Sequence, residues 1–318
     1  MTKILVLGDS AHGIPASEYA TALRERLPDA TVVHPETSDG RLNEAADAEI
    51  ITGTYLPDEL LAAAEELRLF AAQSAGTDHL PVDRLREHGV AVTNASGVHG
   101  PNIAEHVLGW LLMLARRLDE GIRRQQRREW RHFQAFGELK GSTVTVVGLG
   151  AIGQAVVERL EPFDVDTVGA RYTPEKGGPT DEVVGFDELE SALVRTDYLV
   201  LACPLTETTE KLIDAEALDS LPSDAAVVNV GRGGVVDTDA LVEAIRRNYV
   251  RAAALDVTDP EPLPRDHPLW DFENVLLTPH VSGHTPHYFT RLADILAENV
   301  ERVEETGEWD DLKNQLSR

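Results

Sequence analysis

Cysteine is nearly absent, with Cys203 the only one in 318 residues. That excludes an internal disulfide and any cysteine-based zinc site. A cytoplasmic setting is the simplest expectation. Long apolar runs are missing as well. The longest, Val107 to Ala115, has nine residues, whereas a membrane span needs about 20. The opening residues MTKILVLGDS carry no basic n-region and no cleavable apolar segment, so no secretory leader is expected. Lysine is scarce, limited to Lys3, Lys140, Lys176, Lys211 and Lys313. This argues against hyperthermophily, whose usual signal is Lys and Glu enrichment.

Acidic residues are abundant and spread along the whole chain. There are 55 against 29 Lys and Arg, a net charge of −26. Such a chain repels itself in dilute buffer, but about 1 M salt shortens the screening length to roughly 3 Å. A salt-rich cytoplasm is therefore expected, ahead of a merely acidic mesophilic protein. Nucleic acid and anionic membranes are not expected as partners.

Hydrophobic residues make up 42% of the chain, so disorder is not expected, and the length allows one large or two ordinary domains. The first hundred residues alternate short apolar runs with helical patterns. The runs are Ile4–Leu7, Thr31–Val33, Glu49–Thr52, Leu69–Ala72 and Ala91–Thr93. They are continuous and β-branched, as strands buried on both faces of a parallel sheet are. Helices are expected over Ala16–Leu27, which Pro28 ends, and over Asp58–Leu67. A long helix opens near Pro101, with Ile103, Val107, Leu111 and Leu114 at helical spacing. The stretch Arg116 to Arg131 follows and holds seven of the 24 arginines. In so acidic a chain it reads as a solvated helix or a partner-facing arm.

Six further strands are expected at Thr143–Val147, Val165–Gly169, Tyr198–Ala202, Ala226–Val230, Ala252–Asp256 and Val275–Leu277. The last helix, Thr290–Val303, comes too late to start a domain and should pack back on the first one. The fold class is thus α/β, with two doubly wound domains. A Rossmann-type coenzyme domain (99–283) is inserted in a flavodoxin-like catalytic domain (1–98 plus 284–318). The boundary between them is the expected ligand cleft.

Gly148-Leu149-Gly150-Ala151-Ile152-Gly153 fits G-x-G-x-x-G, and it follows the strand TVTVV and opens the helix AIGQAVVERL. Gly148 allows the turn, Gly150 lets the backbone approach a diphosphate, and Gly153 lets helix and strand pack closely. The helix start, with Ala151 and Ile152, offers free N–H groups to the anion. An NAD site carries an acid at the end of the second strand. Here Arg171 stands there, with Tyr172 beside it to stack on adenine. A guanidinium binds a 2′-phosphate in a forked geometry where a carboxylate would repel it. NADP is therefore expected over NAD. The competing reading is a surface arginine and a loose NAD site.

Arg232 in NVGRGGVVD, Glu261 in LDVTDPEPLP and His280 in LLTPHVSG each follow an expected strand end, where ligands of open α/β sheets sit. Together with NASGVHGPNIAEHVLG, VVGLGAIG, ACPLT and ALDV, these segments resemble the D-isomer-specific 2-hydroxyacid dehydrogenases from about Gln73 to Gly283. By that resemblance Arg232 would hold the carboxylate and carbonyl of a 2-keto or 2-hydroxy acid. His280 would give and take the proton, with Glu261 as its partner. Asp256 would bond the nicotinamide amide, Cys203 and Pro204 would lie near the adenosine half, and Ser74, Ala75 and Gly76 would offer backbone donors to the carboxylate. A homodimer joined through the coenzyme domains is also implied.

The residue types suit the chemistry. Reduction of a 2-keto acid moves hydride to carbon while the oxygen gains a proton, and an imidazole exchanges protons near neutrality. A neighbouring carboxylate favours its protonated form. A guanidinium fixes the carboxylate and polarises the carbonyl. The substrate tail is expected to meet Tyr55, Leu56 and Ser74. His99, His284 and His287 are pocket or surface histidines, and their spacing gives no support for a metal. Competing readings are a phosphite or formate dehydrogenase on the same fold and a non-catalytic cofactor sensor. Glu261, in place of an amide beside the histidine, weighs against formate.

Overall fold

The computed structural model describes residues 2–8, 10–77, 80–133 and 136–316. The chain divides into two compact units, Met1–His99 with His284–Arg318, and Gly100–Gly283. The first holds β1 (Lys3–Val6), β2 (Ser10–Ala11), β3 (Ile14–Pro15), β4 (Thr31–Val33), β5 (Ile50–Gly53), β6 (Leu69–Ala72) and β7 (Ala91–Thr93). Five of these form a parallel sheet in the order β4-β1-β5-β6-β7, the flavodoxin-like arrangement. Successive side chains point to opposite faces. Ile4 and Val6 pack against Tyr19 and Leu23 of helix Ala16–Arg26 and against Leu292 and Leu296 of helix Tyr288–Thr306. Leu5 and Leu7 join Ile51, Phe70, Leu60 and Leu85 on the other face. The last helix does return to the first unit, and Gly307 ends it in the left-handed region at φ 73°. The helix after Pro57 stops at Ala63, one turn short of the expected Leu67.

The second unit holds β8 (Thr143–Val147), β9 (Asp166–Ala170), β10 (Glu182–Val184), β11 (Tyr198–Leu201), β12 (Ala226–Asn229), β13 (Ala252–Leu255) and β14 (Val275–Leu277). They pair in parallel in the order β10-β9-β8-β11-β12-β13-β14, a Rossmann sheet with one added edge. Ile103, Val107, Leu111 and Leu114 of helix Gly100–Ala115 cover one face with Val144 and Val146. Leu241 and Ile245 of helix Thr238–Arg246 cover the other with Val147, Leu199 and Val227. The strand β10 and the hairpin β2–β3 had no counterpart in the sequence reading. No helix among the described residues is long and apolar enough to cross a membrane.

Candidate active site

The glycine loop joins β8 to helix Ala151–Leu160. Gly148 has φ 96°, and a Cβ there would lie 2.7 Å from the Cys203 backbone. A Cβ on Gly153 would lie 1.9 Å from the Gly148 carbonyl oxygen. Both positions are therefore closed to side chains by the protein itself. Gly150 differs, because a Cβ there meets nothing within 4 Å. Gly150 is also the N-cap of the helix, and no side chain caps it. The first-turn N–H groups and the open side of Gly150 fit the diphosphate of a dinucleotide.

Arg171 follows β9 directly, and its Nη1 donates to the Gly177 carbonyl at 2.5 Å. This leaves most of the guanidinium donors for a ligand. Tyr172 is exposed. Cys203 is buried after β11, and burial pushes its thiol up to about 11. It is packing, and no nucleophile. The Pro204 carbonyl accepts from Thr209 Oγ1 at 2.6 Å.

Arg232, Glu261 and His280 follow β12, β13 and β14, three adjacent parallel strands. Their shared carboxyl edge brings them to one end of the sheet. His280 Nδ1 and Glu261 Oε1 are 2.7 Å apart, and both side chains are exposed. This bond engages Nδ1 of the imidazole and leaves Nε2 out of it. His280 itself sits at φ 53°. That conformation costs a residue with a Cβ about 1–2 kcal/mol. The Arg232 loop is held by Asn229, which is 1% exposed. Asn229 Nδ2 donates to the Arg232 carbonyl and its Oδ1 accepts from Gly231 N, each at 3.0 Å. A Cβ on Gly233 would fall 2.0 Å from the Thr258 carbonyl, so this loop lies directly on the segment leading to Glu261.

Asp256 is 2% exposed. Its Oδ1 accepts from Val281 N at 2.9 Å, and its Oδ2 accepts from Ser282 N at 2.9 Å. Burial pushes this carboxyl up, but the bonds from Ser282, Thr278 and Val281 outweigh burial and hold it below the usual carboxylate range. No arginine pairs with it among the described residues.

The family model described as D-isomer specific 2-hydroxyacid dehydrogenase, NAD binding domain, matches residues 108–282. The chain belongs to this family. It is 32% identical to D-3-phosphoglycerate dehydrogenase of Methanocaldococcus jannaschii over 95% of this chain, and it spans 57% of that relative's length. It is 36% identical to glyoxylate reductase of Thermofilum pendens over 76% of this chain and 73% of the relative. The crystal structure of a D-isomer specific 2-hydroxyacid dehydrogenase from Xanthobacter autotrophicus Py2, in complex with NADPH and MES, matches with a TM-score of 0.80. That match has 27% identity and covers 99% of this chain and 98% of the other. A nicotinamide cofactor follows for this dehydrogenase-family chain from the matched NAD-binding domain and the fitting glycine loop.

In the other unit of this family member, Ser74 Oγ donates to the Gly76 carbonyl at 2.9 Å, and Asn94 Nδ2 donates to the Ala75 carbonyl at 2.8 Å. Asn94 thus shapes the Ser74–Gly76 loop. Tyr55 is exposed, but Leu56 is 2% exposed within the core around Leu5 and Phe70. The expected contact of Leu56 with a substrate tail is therefore corrected, because its side chain is spent on packing. Asn94 holds a backbone turn after its strand, as its place in the sequence suggests, whereas Asn229 and Thr278 carried no such signal. Asn229 bonds the backbone of its own loop, and Thr278 bonds the Asp256 carboxylate, contacts that no motif records.

Proposed function

We propose that the protein is an NADPH-preferring D-2-hydroxyacid dehydrogenase that interconverts a 2-keto acid and its (R)-2-hydroxy acid, with His280 as the acid/base. The observation that carries this reading is the His280–Glu261 bond of 2.7 Å at the strand edge that also presents Arg232. The family membership and the NADPH complex of the Xanthobacter relative support it. Gly148, Gly150, Ala151, Ile152 and Gly153 form the diphosphate loop, Arg171 binds the 2′-phosphate, Tyr172 stacks on adenine, Cys203 and Pro204 lie near the adenosine half, and Asp256 lies toward the nicotinamide amide.

The bound nicotinamide supplies the hydride in reduction and accepts it in oxidation. Arg232 binds the carboxylate and the carbonyl oxygen of the 2-keto acid, and its charge stabilises that oxygen as negative charge builds on it. His280 delivers a proton from Nε2 to the same oxygen and takes it back in the reverse direction. Glu261 accepts from Nδ1 and so fixes the ring plane and steadies its charged form.

The arginine-rich segment supports a homodimer rather than a nucleic-acid site. Arg123 and Arg124 pair with Glu120, and Arg127 pairs with Glu273. Leu118, Ile122 and Trp130 of that segment are exposed, as is Phe136 beyond its end.

The test is NADPH oxidation over a panel of 2-keto acids in molar salt, with the product resolved by chiral chromatography. Stoichiometric (R)-2-hydroxy acid is expected. Cofactor binding without turnover on any member would replace the catalyst with a sensor.

A further inference from the structure

The His280 turn is gripped from behind. His280 N donates to the Asp256 carbonyl at 2.8 Å and to the Thr278 carbonyl at 3.0 Å. The Asp256 carboxylate then holds the next two backbone N–H groups, of Val281 and Ser282. Its Oδ1 takes one further donor, the Thr278 hydroxyl at 2.5 Å.

A hydroxyl has a single proton to donate. Thr278 spends it on Asp256, which as a carboxylate can only accept. The lone pairs of Thr278 Oγ1 are left for His106 Nε2, 3.3 Å away. That contact is a hydrogen bond only when Nε2 carries a proton. Burial lowers the His106 pKa, and the Asp256 charge offsets this only in part, so the ring is held neutral. Its one proton then resides on Nε2. His106 is held in turn by Trp110, one helical turn on, with ring centroids 4.2 Å apart in an edge-to-face contact.

We propose that His106, Thr278 and Asp256 form a one-way hydrogen-bond chain that sets the pose of His280, making Thr278 and His106 positioning residues for the reaction. The direction is His106 Nε2–H to Thr278 Oγ1, then Thr278 O–H to Asp256 Oδ1. The chain ends on the backbone that flanks His280. It explains how a left-handed histidine is kept in place between Pro279 and Val281. It gives the buried Asp256 a task on the backbone beside the one toward the nicotinamide. The inference rests on the reading of His280 as the acid/base.

The test compares Thr278→Val, Thr278→Ser and His280→Ala, with selective ¹⁵N-histidine labelling of the wild type and of His106→Gln to assign the His106 signals. Thr278→Val is expected to lower kcat by about ten- to a hundredfold, as small misplacements do, while KM for NADPH and for the keto acid stays within twofold. Thr278→Ser is expected to restore kcat. The His106 signals of the wild type should show the neutral Nε2–H tautomer, a readout taken on the wild type, with His106→Gln serving only the assignment. Wild-type kcat in Thr278→Val with an inactive His280→Ala overturns this inference and leaves the reading of His280 standing. An active His280→Ala overturns that reading instead. A His106 proton on Nδ1, or an imidazolium, also overturns the directed chain.

Discussion

At the residue scale the proposed coenzyme preference rests on Arg171. It stands at the end of β9, where the ribose of a bound dinucleotide is met. A hydrogen bond to a charged group is worth about 1.5–3 kcal/mol. Arg171→Asp is therefore expected to shift the NADPH/NADH ratio of kcat/KM toward NADH by about ten- to a hundredfold. Paired steady-state assays check this, and an unchanged ratio removes Arg171 from the 2′-phosphate site. The same scale shows where single residues were legible. Arg232, Glu261 and His280 stood out because each lies in the segment after an apolar strand run, where an open sheet receives ligands. Leu56 was misleading because a leucine after a strand looks the same whether it faces a core or a ligand. Asn229 gave no signal, since its amide serves the backbone of its own loop.

Elements were legible where a β-branched or apolar run is continuous in the sequence. The runs Thr31–Val33, Leu69–Ala72 and Ala91–Thr93 form strands at those bounds. The strand β10, Glu182–Val184, opens on a charged residue and leaves only Val183 and Val184 as an apolar run, which no pattern registers. The loop after β2 shows a second limit. It carries His12, whose ring stacks on His284 at 4.4 Å and lies 5.5 Å from His99 and 4.4 Å from Tyr288. Sequence distance hides such a meeting of three stretches of one unit. The His12 Nδ1 is buried with no hydrogen-bond partner. Burial, with His284 and His99 beside it, lowers the His12 pKa to about 4. An unfolded histidine titrates near 6.5. The unfolded chain therefore binds a proton that the folded stack refuses, so this contribution to stability is present above pH 6.5 and is lost as the pH falls toward 4. His12→Phe keeps the stack without the charge. Its thermal midpoint is expected to fall less than that of the wild type between pH 7.5 and pH 5. Parallel losses in the two proteins would remove His12 from the acid response.

The whole molecule is governed by a net charge of −26 on 318 residues. The screening length is about 10 Å at 0.1 M salt and 3 Å at 1 M. Repulsion among the dispersed acids is therefore strong in dilute buffer and short-ranged in molar salt. Activity and thermal midpoint are both expected to rise from 0.1 M to above 1 M KCl. Light scattering over the same range follows assembly, and a homodimer is expected at high salt. Best activity in dilute buffer would contradict an adaptation to salt. The two-unit architecture was readable because strands and helices alternate through both halves and the last helix stands apart from the second set of strands.

The measurement that bears most directly on the proposed chemistry is single-turnover NADPH oxidation by the wild type and by His280→Ala, each saturated with the best 2-keto acid in molar salt. Loss of a general acid costs about 10²- to 10⁴-fold in rate. The account predicts a fall of that size with coenzyme binding intact, and an undiminished rate in His280→Ala would contradict it.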